Sequence, residues 1–276
     1  MSRAADSSSY TVSSSAHAPV IHPTAIIAPE ARIGRRVHIG AYCIVNSEVT
    51  LEDDVRLESH IHIDGRTHIG AHTRVFPFVS IGLAPQDLKY ADEPSETRIG
   101  SRTTIREFVT IHRGTRHGGM LTTIGDDCLL MAQAHVAHDC HVGNNVIMAN
   151  AATLAGHVTI AEHATIGAYS GVHQFCRVGR EAFIGGYSVV VKDALPFAKT
   201  VGNHARCYGL NTVGLKRRGF APESIRALSQ AFRLLLAAKL NTTQALERIS
   251  TSELNDTPEV RELVTFINES PRGVIK

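Results

Sequence analysis

The stretch Leu130-Met-Ala-Gln-Ala-His-Val136-Ala-His-Asp-Cys-His-Val142-Gly-Asn-Asn-Val-Ile-Met148-Ala-Asn-Ala-Ala-Thr-Leu154-Ala-Gly-His-Val-Thr-Ile160 puts a large apolar residue at every sixth position. A helix repeats near 3.6 residues and a half-buried strand near 2, so neither period explains it. Working outward, the column continues downstream through Ile166, Val172, Val178, Ile184 and Val190. Upstream it holds Ile124, then Ile111, Ile105 and Ile99, then an unbroken run from Ile81 back to Ile21. Four residues after each member comes a small or β-branched residue, such as Ala25, Val37, Cys43, Thr73, Val109, Ala134, Val146, Ala152, Ala164 and Ser170. One large and one small inward position per six residues suits a narrow prism with three flat walls per coil. Repetition at a fixed short period predicts a solenoid whose coils bury one another. The expected class is therefore mainly β, a parallel β-helix. Glycines that follow the aliphatic residue, as at Gly34, Gly40, Gly70, Gly100, Gly125 and Gly179, are expected at corners needing positive φ or close approach.

Composition bounds the function only loosely. The 276 residues are 43% hydrophobic, enough for a substantial core, and the net charge of +2 implies no nucleic-acid field. No apolar run is long enough to form a transmembrane helix. Residues 1–19, rich in Ser and Ala without the basic, apolar and cleavage segments of a signal peptide, read as a disordered leader. Cys43, Cys128, Cys140 and Cys176 fall in the small inward column, so they read as core residues in a reduced compartment rather than as disulfide partners. A cytoplasmic location fits.

The period defines a coil over residues 20–200, and its interruptions mark the interesting places. Continuing the phase through the first gap would turn Asp87 and Glu93 inward, which is costly for unpaired carboxylates, so residues 83–97 should leave as a loop. Ile111 and Ile124 are out of step by one residue, which makes 113–122 a second loop, with Gly114, Gly118 and Gly119. Loops on rigid scaffolds often carry function. After Val190 the repeat stops. A turn-rich stretch through Pro196, Gly202 and Gly209 precedes a small α-helical domain, residues 201–276, placed to cover the last coil edge. Helices are expected from Pro222, with Ile225, Leu228, Ala231, Phe232, Leu235 and Leu236 as the apolar stripe, near Thr243 to Ile249, and over Pro258 to Asn268.

Six of the sixteen histidines lie between His135 and His173, all at outward positions of the column scheme. His141 and His163 read as solvated surface imidazoles. His138 differs, because residues eighteen apart stack at about 4.8 Å in a three-walled coil. That puts Gly156, and then Gln174, above it. Bare backbone beside an imidazole pairs a general base with an oxyanion donor.

These residues carry a specific likeness. Gln133-Ala-His135-Val-Ala-His138-Asp139-Cys, Asn150-Ala-Ala-Thr-Leu-Ala-Gly156-His157 and Val172-His173-Gln174-Phe175 resemble the UDP-N-acetylglucosamine O-acyltransferases. So do Pro85-Gln86-Asp87-Leu88-Lys89-Tyr90, Ile111-His112-Arg113-Gly114-Thr115, Gly202-Asn203-His204-Ala205 and Gly214-Leu215-Lys216-Arg217-Arg218-Gly219-Phe220. The resemblance runs from about Ile21 to the C-terminus. It implies a left-handed coil, and transfer of an (R)-3-hydroxyacyl chain from acyl carrier protein to the 3-hydroxyl of UDP-N-acetylglucosamine, the first step of lipid A biosynthesis. By that likeness His138 is the general base, Asp139 its orienting carboxylate and the Gly156 N–H the oxyanion donor. Gln86, Asp87, Lys89, His135, His157, His173, Gln174 and His204 would line the substrate and acyl cleft. Asn211, Arg217 and Arg218 would hold the nucleotide, arginine forks being suited to phosphate. Many family members have an acidic residue two positions after that asparagine; this chain has Val213. Gly186 matches the family's chain-length stop, and a glycine there leaves room for a long acyl chain.

The chemistry needs no metal or other cofactor. The family likeness also implies a homotrimer with clefts between subunits, and an acidic carrier protein that could dock on basic residues such as Lys216, Arg217, Arg218, Arg233 and Lys239. Three other readings compete. The related N-acyltransferase carries an extra N-terminal uridine-binding domain. A zinc carbonic anhydrase on the same coil needs three converging histidines, for which His112 and His117 have a suggestive spacing. A non-catalytic scaffold gives no reason for His138, Gly156 and Gln174 to align.

Overall fold

A computed structural model describes residues 17–276, so most of the segment read as a leader lies outside the described residues. Short strands follow one another around three walls, which form sheets of eleven, nine and eight strands, parallel throughout but for the last strand of the first. Successive strands Val20–Ile21, Ile26–Ile27 and Arg32–Ile33 open the first, second and third walls, and His38–Ile39 returns to the first. Register fixes the coil length: Val20 pairs with His38, Ile26 with Ile44 and Arg32 with Thr50, eighteen residues apart in each case. The chain is a left-handed parallel β-helix.

From Val37 onward both inward columns are buried. Ile39, Val45, Leu57, Ile105, Leu130, Leu154 and Ile184 are fully enclosed, as are the small residues Val37, Cys43, Ala134, Cys140 and Cys176. The corner glycines serve close approach alone. A Cβ on Gly34 would sit 2.6 Å from the Glu52 carbonyl carbon of the next coil, and φ there is not positive. Left-handed backbone falls two residues later, on side chains such as Arg36, Tyr42, Asp54 and His60 at φ 55 to 62°. Asp139 and His157 occupy the same corner position, at φ 59° and 63°. Asp and His accept that conformation more readily than most residues.

The loops are tighter than the sequence suggests. Leu83 belongs to strand Ser80–Leu83, Glu96 and Thr97 to Glu96–Ile99, and Leu121 and Thr122 to Leu121–Ile124. Strand pairing captures these residues, so the excursions are 84–95 and 113–120. The expected boundary near 200 is also crossed. Ala198–Val201 adds in parallel to Phe183–Ile184, and Arg206–Leu210 turns back antiparallel, continuing the first wall to Leu210. This last antiparallel strand becomes the edge of the first wall, and the helix Pro222–Leu236 packs against it.

Four helices follow: α1 (Thr212–Arg217), α2 (Pro222–Leu236), α3 (Thr242–Ser250) and α4 (Pro258–Asn268). The α2 stripe buries Leu228, Ala231, Phe232 and Leu235 in a second core with Leu195, Phe197, Leu215 and Leu263. Arg180 forks onto Glu262 of α4, and buried Asp193 takes the Arg177 side chain and the Ser270 hydroxyl. These charged hydrogen bonds fix the helices to the last coils. No helix among the described residues is long and apolar enough to cross a membrane.

Candidate active site

Strand His135–Val136 lies on the second wall and His141–Val142 on the third, so His138 and Asp139 form the corner between them. The corner turns the two side chains toward each other, with His138 Nδ1 and Asp139 Oδ2 2.8 Å apart. Burial pushes the Asp139 carboxyl up, but hydrogen bonds from His138 and Thr115 outweigh it and hold the group below the usual carboxylate range. An ionised Asp139 draws the proton onto Nδ1, leaving Nε2 with a free lone pair.

One coil on, Gly156 lies against the His138 ring. A Cβ at 156 would come 2.6 Å from Cε1 and 2.8 Å from Nε2, so a side chain fits only if the ring moves. On the corner between the third and first walls some of these backbone N–H groups are capped by a side chain of the next coil, Arg35 by Asp53, Ser101 by Asp126 and Asp126 by Asn144, whereas on the corner that holds Gly156 those of Ser47, His138 and Gln174 have no partner among the described residues. Among the described residues nothing caps the Gly156 N–H. His157 sits above Asp139, edge-on to His138 at 5.0 Å and stacked on Phe175 at 4.4 Å. Its Nδ1 is 3.9 Å from Asp139 Oδ2. Burial lowers the pKa of His157 and of His135, which keeps both uncharged at neutral pH. His135 Nδ1 meets the Thr110 hydroxyl at 2.6 Å, and its ring is edge-on to buried His112 at 5.1 Å. Burial first, then the neighbouring His135, takes His112 down to about 4.

In the first loop, Asp87 is half-buried and its charge reaches His157, whereas Gln86 and Lys89 are exposed. His173 and Gln174 are exposed two coils above His138, with His173 Nδ1 against the Gln174 carbonyl at 3.1 Å.

The remaining expected residues are elsewhere. Asn211 caps α1, its Oδ1 accepting from Gly214 N at 3.2 Å and its Nδ2 donating to the Glu181 carbonyl at 3.1 Å. With Arg217 and Arg218 it lines a cleft of about 790 Å³ on the first wall, floored by Leu129, Ile147 and Phe183, and Val213 lines it too. Arg218 is not free: its Nε donates to buried Glu181 at 3.2 Å and its Nη2 lies 2.7 Å from His163 Nε2. His163 is therefore an oriented partner rather than the solvated imidazole expected. Gly186 sits on the corner between the first and second walls, where a Cβ would lie 3.3 Å from Ala168 O, a tight approach to the preceding coil. His204 is exposed in the turn after Val201.

Sequence reasoning missed Glu181, His163, Thr115 and Glu93. Thr115 stands inside a quoted motif, but nothing in the spacing links it to Asp139. His112 and His117 join no group of three ligating side chains among the described residues; one such group does occur, His138, Asp139 and His157. In it Asp139 Oδ2 already accepts from the Thr115 hydroxyl as well as meeting His138.

A prism of eighteen-residue coils, each built from three six-residue repeats, with a carboxylate-oriented histidine on an outer corner defines a hexapeptide-repeat transferase. Residues 121–156 match the family model for bacterial transferase hexapeptide repeats, and residues 193–275 that for UDP-N-acetylglucosamine O-acyltransferase domain 2. A relative from Burkholderia mallei strain SAVP1, acyl-[acyl-carrier-protein]–UDP-N-acetylglucosamine O-acyltransferase, is 45% identical over 74% of this chain and 79% of its own length. Among solved structures, LpxA from Acinetobacter baumannii is 40% identical, with TM-score 0.90 over 93% of this chain and 100% of that one. The UDP-N-acetylglucosamine O-acyltransferase of Moraxella catarrhalis is 41% identical, with TM-score 0.89 over 93% of this chain and 99% of that one. The chain belongs to the acyl-[acyl-carrier-protein]–UDP-N-acetylglucosamine O-acyltransferase family.

Proposed function

We propose that this protein transfers an (R)-3-hydroxyacyl chain from acyl carrier protein to the 3-hydroxyl of UDP-N-acetylglucosamine, the first step of lipid A biosynthesis. The observation that carries the mechanism is the 2.8 Å contact between His138 and a buried carboxylate, beside an uncapped backbone amide. A sugar hydroxyl is a weak nucleophile. His138 Nε2 takes its proton as the oxygen attacks the thioester carbonyl, and Asp139 supports the imidazolium that forms. Charge gathers on the former carbonyl oxygen, where the Gly156 N–H donates, an effect of about 2.7–4 kcal/mol per donor. Collapse of the tetrahedral intermediate expels the carrier thiolate, which receives the proton back from His138. Every step uses groups of the chain and the two substrates.

His135, His157, His173, Gln174, Gln86, Asp87 and Lys89 are assigned to the sugar and the acyl head group. Asn211, Arg217 and Arg218 are assigned to the nucleotide, and His204 and Gly186 to the acyl slot, open to a long chain at Gly186. Support for a homotrimer comes from how these residues divide. His138 belongs to the corner between the second and third walls, whereas Asn211, Arg217 and Arg218 line the first. One wall is about six residues, or roughly 20 Å, across. A single sugar nucleotide meets both sets most simply across a subunit boundary in a closed ring. A cytoplasmic site of action fits its two soluble substrates.

The test is incubation of purified protein with labelled UDP-N-acetylglucosamine and hydroxyacyl carrier proteins of graded length. Formation of a 3-O-acyl sugar nucleotide with a long-chain donor is expected. No product from any donor refutes the reading.

A further inference from the structure

Asp139 is the most enclosed group of the site, with a side-chain exposure of 0%. What encloses it is the second loop. Thr115, itself 1% exposed, donates from its N–H to Asp139 Oδ1 at 2.8 Å and from its hydroxyl to Oδ2 at 2.6 Å. Gly118 presses so close that a Cβ there would lie within 2.4 Å of the carboxylate. From below, the Thr122 hydroxyl accepts the Asp139 N–H at 2.8 Å.

That loop is pinned in turn by the first. Glu93, 4% exposed, accepts the Arg116 N–H on Oε1 at 2.8 Å and the Ala91 N–H on Oε2 at 2.9 Å. The Tyr90 hydroxyl donates to the Glu93 carbonyl at 3.2 Å. The carboxylate that the six-residue phase would turn inward thus clips one loop to the other, one residue away from Thr115.

We infer that Thr115 and Glu93 are positioning residues for the proposed base: Thr115 fixes the rotamer and charge distribution of Asp139, and Glu93 holds Thr115 in place. The inference rests on His138 being the base. Oδ2 serves both the Thr115 hydroxyl and His138 Nδ1, so the two donors share one oxygen. Removing the hydroxyl leaves more negative charge facing the imidazole, which favours the imidazolium. The other titratable groups around this pair are His157, His135, His112, His141 and the buried Cys140 thiol, with Asp87 and Glu93 in the first loop and Arg116 in the second. None of them touches Thr115 Oγ1. The first loop also carries Asp87, so the clip joins the proposed sugar side of the site to the orientation of the base.

The experiment compares Thr115→Val, Thr115→Ser and Glu93→Gln in the full-length protein. Three readouts are taken: kcat and KM for UDP-N-acetylglucosamine, the pH profile of kcat/KM, and the His138 ring titration by NMR. Valine keeps the shape but not the donor. It should lower kcat about tenfold or more, as expected for a hydrogen bond to a charged group, leave KM within about twofold, and move the acid limb and the ring titration to higher pH. Serine should restore both, and Glu93→Gln should lower kcat with less effect. Valine with unchanged kcat and ring titration, or serine as impaired as valine, overturns the inference. If the parent protein fails to acylate UDP-N-acetylglucosamine, the functional reading falls. The ring titration still decides whether Thr115 tunes His138.

Discussion

Gly156→Ala isolates the contact on which the mechanism depends. The added Cβ would lie 2.6 Å from His138 Cε1, whereas carbon atoms settle at about 3.5 Å or more, so something must move by about 0.9 Å. The backbone cannot. Ala155 N donates to Val172 O at 3.0 Å, His157 N to His138 O at 3.0 Å, and Phe175 N to Gly156 O at 3.2 Å. The imidazole must therefore give, against Asp139 on one side and the His157 ring on the other. An off-rotamer ring costs about 0.5–1.5 kcal/mol of stability, or roughly 1–6 °C in Tm for a chain of this size. Misplacing a catalytic group by about 1 Å costs on the order of a hundredfold in rate. Steady-state acyl transfer and thermal melting, run in parallel, should show about a hundredfold loss of kcat with a nearly unchanged melt. Turnover within about twofold of the parent would refute a rigid pairing of imidazole and amide.

Replacing the base itself, His138→Ala, should cost about 10²–10⁴ in kcat while circular dichroism stays native, since the ring is not part of the prism core; substantial residual turnover would remove it from the mechanism. Asp139→Asn cannot hold the Nδ1 proton as an anion does, and a fall in kcat of up to about 10⁴ is expected, read by the same rate assay. Gly186→Phe should place a ring at that corner, with its Cβ 3.3 Å from Ala168 O, and move donor preference from long to short hydroxyacyl chains in a competition assay; an unchanged preference would detach Gly186 from the acyl slot. His112 titrates near 6.5 when free and at about 4 in the fold. Between those values the unfolded chain binds more protons, so stability should fall as pH drops from 6.5 to 4, by about 3 kcal/mol at roughly 1.36 per unit. Denaturant midpoints across that window should flatten in His112→Phe, and an unaltered slope would contradict the burial argument.

The prism was legible because a solenoid writes its core as a column: Ile39, Leu57, Leu130 and Ile184 need only be counted in sixes. His138 and Gly156 were legible for the same reason, because neighbours across coils sit at a constant offset. Where the offset breaks, legibility ends. Loop edges at Leu83, Thr97 and Thr122 were missed because backbone pairing recruits residues whose side chains do not advertise it. The Thr115 contact with Asp139 spans 24 residues through an irregular excursion, and Arg218 meets His163 across 55. No periodicity reports such contacts. Glu93 shows the limit most clearly. Sequence physics rightly barred it from the apolar interior, but only coordinates reveal that backbone amides satisfy it.

The spacing between imidazole and amide is one rung of a hydrogen-bonded ladder, about 4.8 Å, and not the outcome of a hinge or a closing flap. Such a distance cannot be softened locally: stretching it means parting rungs that run the length of the chain. Heating should therefore leave the dyad poised until the spiral itself unwinds, with turnover and architecture lost together.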